Sequence, residues 1–121
     1  QEDRMCSGLH HIALIASSDA TVAFYEKLGF CVTGTVRREK QNDTVVLMSD
    51  GTVFLELFID PSHPKRTGEE PLGLRHLAFS VDDAERAARE WNGTPVRTDW
   101  VGKKFTVVRD PDGIAVELRE K

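Results

Sequence analysis

Residues 9–15 read LHHIALI, and 65 positions later residues 74–80 read LRHLAFS. The shift pairs Leu9 with Leu74, His11 with His76 and Ala13 with Ala78. Internal repetition constrains a fold more than any single motif, because each copy must be the same supersecondary unit. Both runs alternate along the chain and carry β-branched or bulky apolar residues, which reads as strand.

The segments that follow also match. After the first run comes SSDATVAFYEKLGF. Ser18 or Asp19 caps a helix there, Val22, Ala23 and Leu28 line its buried side, and Gly29 stops it. After the second comes DDAERAAREWNG. Asp82 and Glu85 have capping-box spacing, Ala84, Ala87, Ala88 and Trp91 supply the apolar side, and Gly93 ends the helix. Each half then offers three more strand-like runs, at about 30–37, 44–49 and 52–59 and at about 95–100, 104–109 and 114–119. Asp50-Gly51 and the DPDG run from Asp110 to Gly113 are the turn signals.

Each half is therefore expected to be β-α-β-β-β, and the fold class α+β. The 121 residues suit one domain, built from modules 8–60 and 73–121. The joining segment 60–73 holds three prolines, two glycines and several charges, a linker composition that serves as a plain connection or as a flap over a pocket. The polar opening, Gln1 to Arg4, is set apart from the fold.

Alternation places four residues on one surface. In a strand, alternate side chains share a face. His11 shares its face with Ala13 and Ile15, and His76 with Ala78 and Ser80. Glu56 lies between Leu55 and Leu57, and Glu117 between Val116 and Leu118. With the apolar neighbours turned to the helices, all four polar residues fall on the opposite side. A lone strand histidine or a glutamate flanked by leucines is ordinary. Their recurrence in the same strands of both halves, 45 and 41 residues apart, is not required by amphipathicity. Two imidazoles and two carboxylates suit one hard-to-borderline divalent ion and offset its charge, and a six-coordinate ion would keep two positions for water or substrate oxygens. Ala13 and Ala78 leave room beside it. His10 has the parity of Ile12 and takes a structural or rim role. His63 has no partner spacing and is read as solvated.

The net charge of −4 does not favour a nucleic-acid partner. No apolar run is long enough to span a membrane. With no signal-like opening, the cytoplasm is the expected compartment, and Cys6 and Cys31 are expected as free thiols. Arg37, Arg38, Lys103 and Lys104 are candidates to hold an acidic substrate, or else plain exposed charges.

The runs LHHIALI, FYEKLGF, VFLELF, GLRHLAFSV and DPDGIAVELRE, in this order, resemble the vicinal oxygen chelate superfamily of glyoxalases, bleomycin-resistance proteins and extradiol dioxygenases. The likeness spans about residues 8–121 and is strongest to small bacterial glyoxalase I-like (lactoylglutathione lyase-like) proteins. It implies a curved mixed sheet with helices on its outer face. It implies His11, Glu56, His76 and Glu117 as ligands of a divalent ion, with zinc, nickel, cobalt and manganese all admissible. Glyoxalase I isomerises the hemithioacetal of methylglyoxal and glutathione through an enediolate, and the resemblance makes Glu56 and Glu117 candidate bases, Glu117 the preferred one. It also implies a small-molecule substrate and a homodimer, with the modules around an ion coming from one chain or from two.

Two glutathione-contact positions depart from the pattern. Where glyoxalase I commonly has an arginine four residues after the first histidine and an asparagine four after the first glutamate, this chain has Ile15 and Asp60. Another thiol or another α-hydroxycarbonyl substrate is therefore expected. Thiol transferases and extradiol dioxygenases of the superfamily use three protein ligands, and methylmalonyl-CoA epimerase usually has a glutamine among four. The alternative outside enzymes is a metal-free, bleomycin-type drug-binding protein.

Overall fold

The computed structural model describes residues 5–67 and 70–121; the opening Gln1–Arg4 and the linker residues Gly68 and Glu69 lie outside the described residues. The chain divides into two compact units, 1–63 and 64–121. The first contains β1 (Ile12–Ala16), α1 (Asp19–Lys27), β2 (Cys31–Arg38), β3 (Asp43–Ser49) and β4 (Phe54–Ile59). The second contains β5 (His76–Val81), α2 (Ala84–Glu90), β6 (Arg97–Thr98), β7 (Lys104–Arg109) and β8 (Ala115–Glu120). Both are βαβββ. Their sheets run β1-β4-β3-β2 and β5-β8-β7-β6. In each, the first and last strands pair parallel and the other pairs are antiparallel. The α+β class with two mixed sheets stands.

Alternation sorts each sheet into two faces. Leu14, Ala16, Val46, Met48, Leu55 and Leu57 are buried in the first unit, and Leu77, Thr106, Val108, Val116 and Leu118 in the second. α2 packs against β7 and β8 with Ala84 and Ala87 buried. The tightest approach is at Gly93, where a Cβ would stand 2.3 Å from Thr106 Oγ1 and 3.2 Å from Val108 Cγ1. Glycine is needed there for space, while the left-handed residue after α2 is Asn92, at φ 52°. α1 ends instead on Gly29, at φ 113°, a backbone conformation that a side chain disfavours.

Several local expectations shift. α1 is capped by Ser18, whose hydroxyl accepts from the Ala20 N–H, but its buried side is Thr21, Val22 and Tyr25. Ala23 is exposed and Leu28 half-buried, because the apolar stripe runs through the aromatic Tyr25, which meets Phe30 edge-on. α2 is capped by Asp83, not Asp82: the Asp83 carboxylate accepts from the Arg86 N–H at 3.0 Å. The Ala84 N–H is satisfied from far along the chain by Glu120 at 2.9 Å, and Asp82 pairs with Lys121 at 2.9 Å. The strand expected near 95–100 shrinks to Arg97–Thr98. Thr94 turns its N–H to the Val107 carbonyl, Pro95 has no N–H to give, and the Asp99 N–H already closes a turn on the Lys103 carbonyl. Both turn signals hold: Asp50 Oδ1 accepts from the Thr52 and Val53 N–H groups, and Asp110 Oδ1 from those of Asp112 and Ile114. Cys6 and Cys31 are free thiols.

Candidate metal centre

The parallel pairings set the candidate ligands. β1 and β4 run side by side with Ile12 opposite Leu55 and Ala13 opposite Glu56. His11, one residue before β1, therefore lies diagonally across from Glu56, and its Nε2 stands 3.6 Å from Glu56 Oε2. The second unit repeats this: Ala78 is opposite Glu117, and His76 Nε2 stands 3.7 Å from Glu117 Oε1. All four side chains are partly open to solvent; Glu117 is the most covered, at 19 %. Ala13 and Ala78, the cross-strand neighbours of the two glutamates, are both exposed, so no bulk stands over either carboxylate on its own strand pair.

Each unit thus presents one imidazole nitrogen and one carboxylate oxygen, and no group of three His, Cys, Asp or Glu placed to hold an ion occurs among the described residues. Two donors bound at roughly 2.0–2.2 Å to one ion sit about 3–3.5 Å apart. Either pair meets that separation with a shift of a few tenths of an ångström, and the donor chemistry suits a divalent ion. Each pair can supply two donors to a divalent ion.

His10 departs from its expected place. Its Nδ1 lies 2.9 Å from His11 Nδ1, and its ring stacks on Phe54 with centroids 6.4 Å apart. It does not follow the parity of Ile12, because residues 10 and 11 precede the β1 ladder and strand alternation does not govern them. The contact engages one nitrogen of His11 while the other points to Glu56, the arrangement by which an outer partner sets a ligand's tautomer and orientation. Among the described residues of the second unit nothing replaces it: Arg75 occupies that position and pairs with Glu70. His63 also has a partner: its Nε2 is 3.5 Å from Asp60.

The two positions that depart from the glyoxalase I pattern differ in kind. Ile15 is 54 % exposed, on the face of Ala13. The Asp60 carboxylate accepts from the Ser62 hydroxyl at 2.6 Å and the Ser62 N–H at 2.9 Å. Those bonds hold its pKa below the ordinary carboxylate value, and the turn they close occupies the side chain.

The four cations considered for an acidic substrate are engaged elsewhere. Arg38 forms a fork on Asp43 at 2.7 and 2.6 Å, and that bond lowers the Asp43 pKa. Arg37 donates to Asn42 and Thr44. Lys103 Nζ donates to the Lys121 carbonyl at 2.7 Å, and Lys104 lies 3.9 Å from Glu85. The cations that sequence reasoning missed are Arg97, Arg109 and Arg119. Strand alternation and register put them on the face of Glu117: Glu117 is opposite Val107, Arg109 opposite Ala115, Arg119 opposite Phe105, and Phe105 opposite Arg97. The parity that located Glu117 also marked Arg119; Arg97 and Arg109 needed the strand register as well.

A model of the Glyoxalase/Bleomycin resistance protein/Dioxygenase superfamily matches residues 8–118. YwkD of Bacillus subtilis, an uncharacterized protein, is 39 % identical over 127 aligned residues, 97 % of this chain and 99 % of its own length. A glyoxalase family protein from Enterococcus faecalis has a crystal structure that superposes with a TM-score of 0.85 at 41 % identity, covering 94 % of this chain and 98 % of that one. The trypanothione-dependent glyoxalase I of Leishmania major superposes with a TM-score of 0.69 at 26 % identity, covering 98 % and 87 %.

Proposed function

This chain belongs to the glyoxalase/bleomycin resistance protein/dioxygenase superfamily, and on that premise we propose that it is a metal-dependent isomerase of the glyoxalase I type. Its substrate on this reading is the hemithioacetal of methylglyoxal, or of a related small carbonyl compound, with a thiol. The observation that carries the reading is the repeated half-site: His11 with Glu56 at 3.6 Å and His76 with Glu117 at 3.7 Å, at matched positions of two βαβββ units. We take the two pairs together as the ligands of one divalent ion, and the two modules as one domain.

A bound divalent ion would supply Lewis acidity to two adjacent substrate oxygens. The chain's own residues supply the rest. A carboxylate oxygen of Glu117 takes the proton from one carbon of the hydroxycarbonyl unit and returns it to the neighbouring carbon. Glu56 stays as the charge-balancing carboxylate, with His11 held in orientation by His10. Ile15 and the turn-bound Asp60 leave the two glutathione-contact positions without their usual donors, which favours a thiol other than glutathione. The trypanothione-dependent relative is a member with a thiol of its own.

The deciding experiment is elemental analysis of the purified protein, then a methylglyoxal–thiol isomerase assay with zinc, nickel, cobalt and manganese. About one ion per pair of half-sites and turnover with at least one thiol are expected. A protein that binds no divalent ion but holds a planar drug tightly would replace this reading with the drug-binding one.

We further propose a homodimer. Leu72 and Trp100 are almost fully exposed, at 104 % and 98 %, and such large apolar side chains are surface that a second copy would cover. Sedimentation with and without a chelator tests this: a monomer under both conditions rules it out. Among the described residues no helix is long and apolar enough to cross a membrane.

A further inference from the structure

The protein carries a net charge of −4, yet a concavity of its second unit has an excess of positive charge. That concavity, about 1050 Å³, is lined by the face of β5, β6, β7 and β8 that holds His76 and Glu117. Five arginines and three carboxylates line it. Two of the arginines are matched: Arg75 pairs with Glu70, and Arg119 with Asp99 at 2.8 Å. The third carboxylate is Glu117, a candidate ligand. Among the described residues Arg66, Arg97 and Arg109 form no direct ion pair, although Arg109 lies near enough to Glu70 to help lower its pKa. Arg97 lies over the Phe105 ring, 5.3 Å from its centroid, and Arg109 Nη1 donates to the Gly113 carbonyl at 3.0 Å. Both guanidinium groups keep free N–H donors.

Register places these two on either side of Glu117. Arg109 lies opposite Ala115, and Ala115 opposite His76; Arg97 lies opposite Phe105, and Phe105 opposite Arg119. The metal half-site is thus bracketed by surplus positive charge along the sheet. A concavity with an excess of positive charge and apolar walls, here Phe105 and Val107, focuses field onto an anion. Arginine is also the side chain whose planar fork matches carboxylate and phosphate oxygens.

We infer that Arg97 and Arg109 form an anion subsite beside His76 and Glu117, so that this site's substrate carries a carboxylate or phosphate group. The inference rests on the proposed isomerase reading for the word substrate, but the anion subsite has its own test. Metal-free protein is titrated with malonate, inorganic phosphate and the neutral malonamide. Binding is followed by proton–nitrogen NMR at the Arg97 and Arg109 side-chain Nε–H signals. Both signals should move with at least one dianion and with neither on malonamide. Preference for malonate marks a carboxylate substrate; preference for phosphate marks a phosphorylated one. Arg97→Gln and Arg109→Gln should each weaken dianion binding about tenfold, the scale of one charged hydrogen bond, while Arg97→Lys should recover part of it and so exclude a folding defect. Malonamide binding as well as malonate, or unchanged dianion affinity in both glutamine variants, overturns the subsite. Dianion binding at the arginines without turnover of any thiol adduct would sink the isomerase reading and leave the subsite standing; turnover without such binding would do the reverse.

Discussion

The two units repeat one scaffold and line it differently. Both place an exposed alanine opposite a glutamate and a histidine diagonal to it, and the two His–Glu separations differ by 0.1 Å. Around that shared pair the same register positions diverge. In the first unit they hold Ile15, Val36, Phe54 and Phe58; in the second they hold Ser80, Arg97, Ala115 and Arg119. Ser49 likewise corresponds to Arg109. Among the described residues the one arginine on the first unit's face, Arg38, lies over the Phe58 ring and is matched by Asp43. On the proposed reading, duplication keeps the His–Glu pair that an ion would need and leaves free what a substrate would meet. An ion has no ends, whereas a substrate does.

The comparison can be broken most sharply at the glutamates. If the units are chemically unequal, Glu117→Gln lowers kcat by about 10²–10⁴-fold with metal retained, the usual contribution of a positioned general base, and Glu56→Gln costs less. Equal losses at both positions, measured beside metal content, would make the units interchangeable in chemistry. The helix ends give the next effect. Gly93→Ala forces a Cβ against Thr106 and should cost about 2–3 kcal/mol in urea unfolding. Gly29→Ala meets open space but a disfavoured φ, and should cost about 1–2 kcal/mol. The reverse order would mean that α2 shifts to accept the methyl group.

A smaller effect separates the ion pairs by acid. The Arg38 hydrogen bond lowers the Asp43 pKa, so the stability it contributes is complete above the unfolded carboxylate value of about 3.9 and is lost as pH falls through the lower folded value. Asp43→Asn should lower the thermal midpoint at neutral pH and flatten its decline below about pH 4. An unchanged slope there would assign the acid response to other carboxylates with lowered pKa values, Asp60 and Asp99 among them. Least of all, Lys104→Ala removes a loose 3.9 Å contact and should leave both the thermal midpoint and malonate binding unchanged within error. A loss of malonate affinity would move the anion subsite off the arginines.

Much of this was legible in the sequence because strand parity is a local, two-residue property. It needed only LHHIALI, LRHLAFS and the glutamates between apolar neighbours to place four side chains on the faces opposite Leu14, Leu57, Leu77 and Leu118. What failed depended on contacts that strand parity does not encode. Asp83 caps α2 because Glu120, 36 positions away, takes the Ala84 N–H that the first turn would otherwise offer. Arg37, Arg38, Lys103 and Lys104 looked available because their acceptors, from Asn42 to Lys121, are not marked by any local pattern. His10 was misplaced because parity was extended beyond the first ladder residue, Ile12. Arg119, two residues after Glu117, was readable by the same rule, but Arg97 and Arg109 only once the short β6 and the β7–β8 register were known.

The parallel pairing of β1 with β4 and of β5 with β8 carries one more consequence, for how such sites change over generations. His and Glu are 45 residues apart in the first unit and 41 in the second, yet they meet at nearly the same distance. The difference is taken up in the intervening strands and turns, as in the eight residues of β2 against the two of β6. Those segments can lengthen, shorten or acquire new side chains without moving the histidine or the glutamate, because the ladder and not the intervening chain length brings the pair together. Insertions there are a cheap route to a new specificity, and a search keyed to fixed gaps between His and Glu would overlook the descendants.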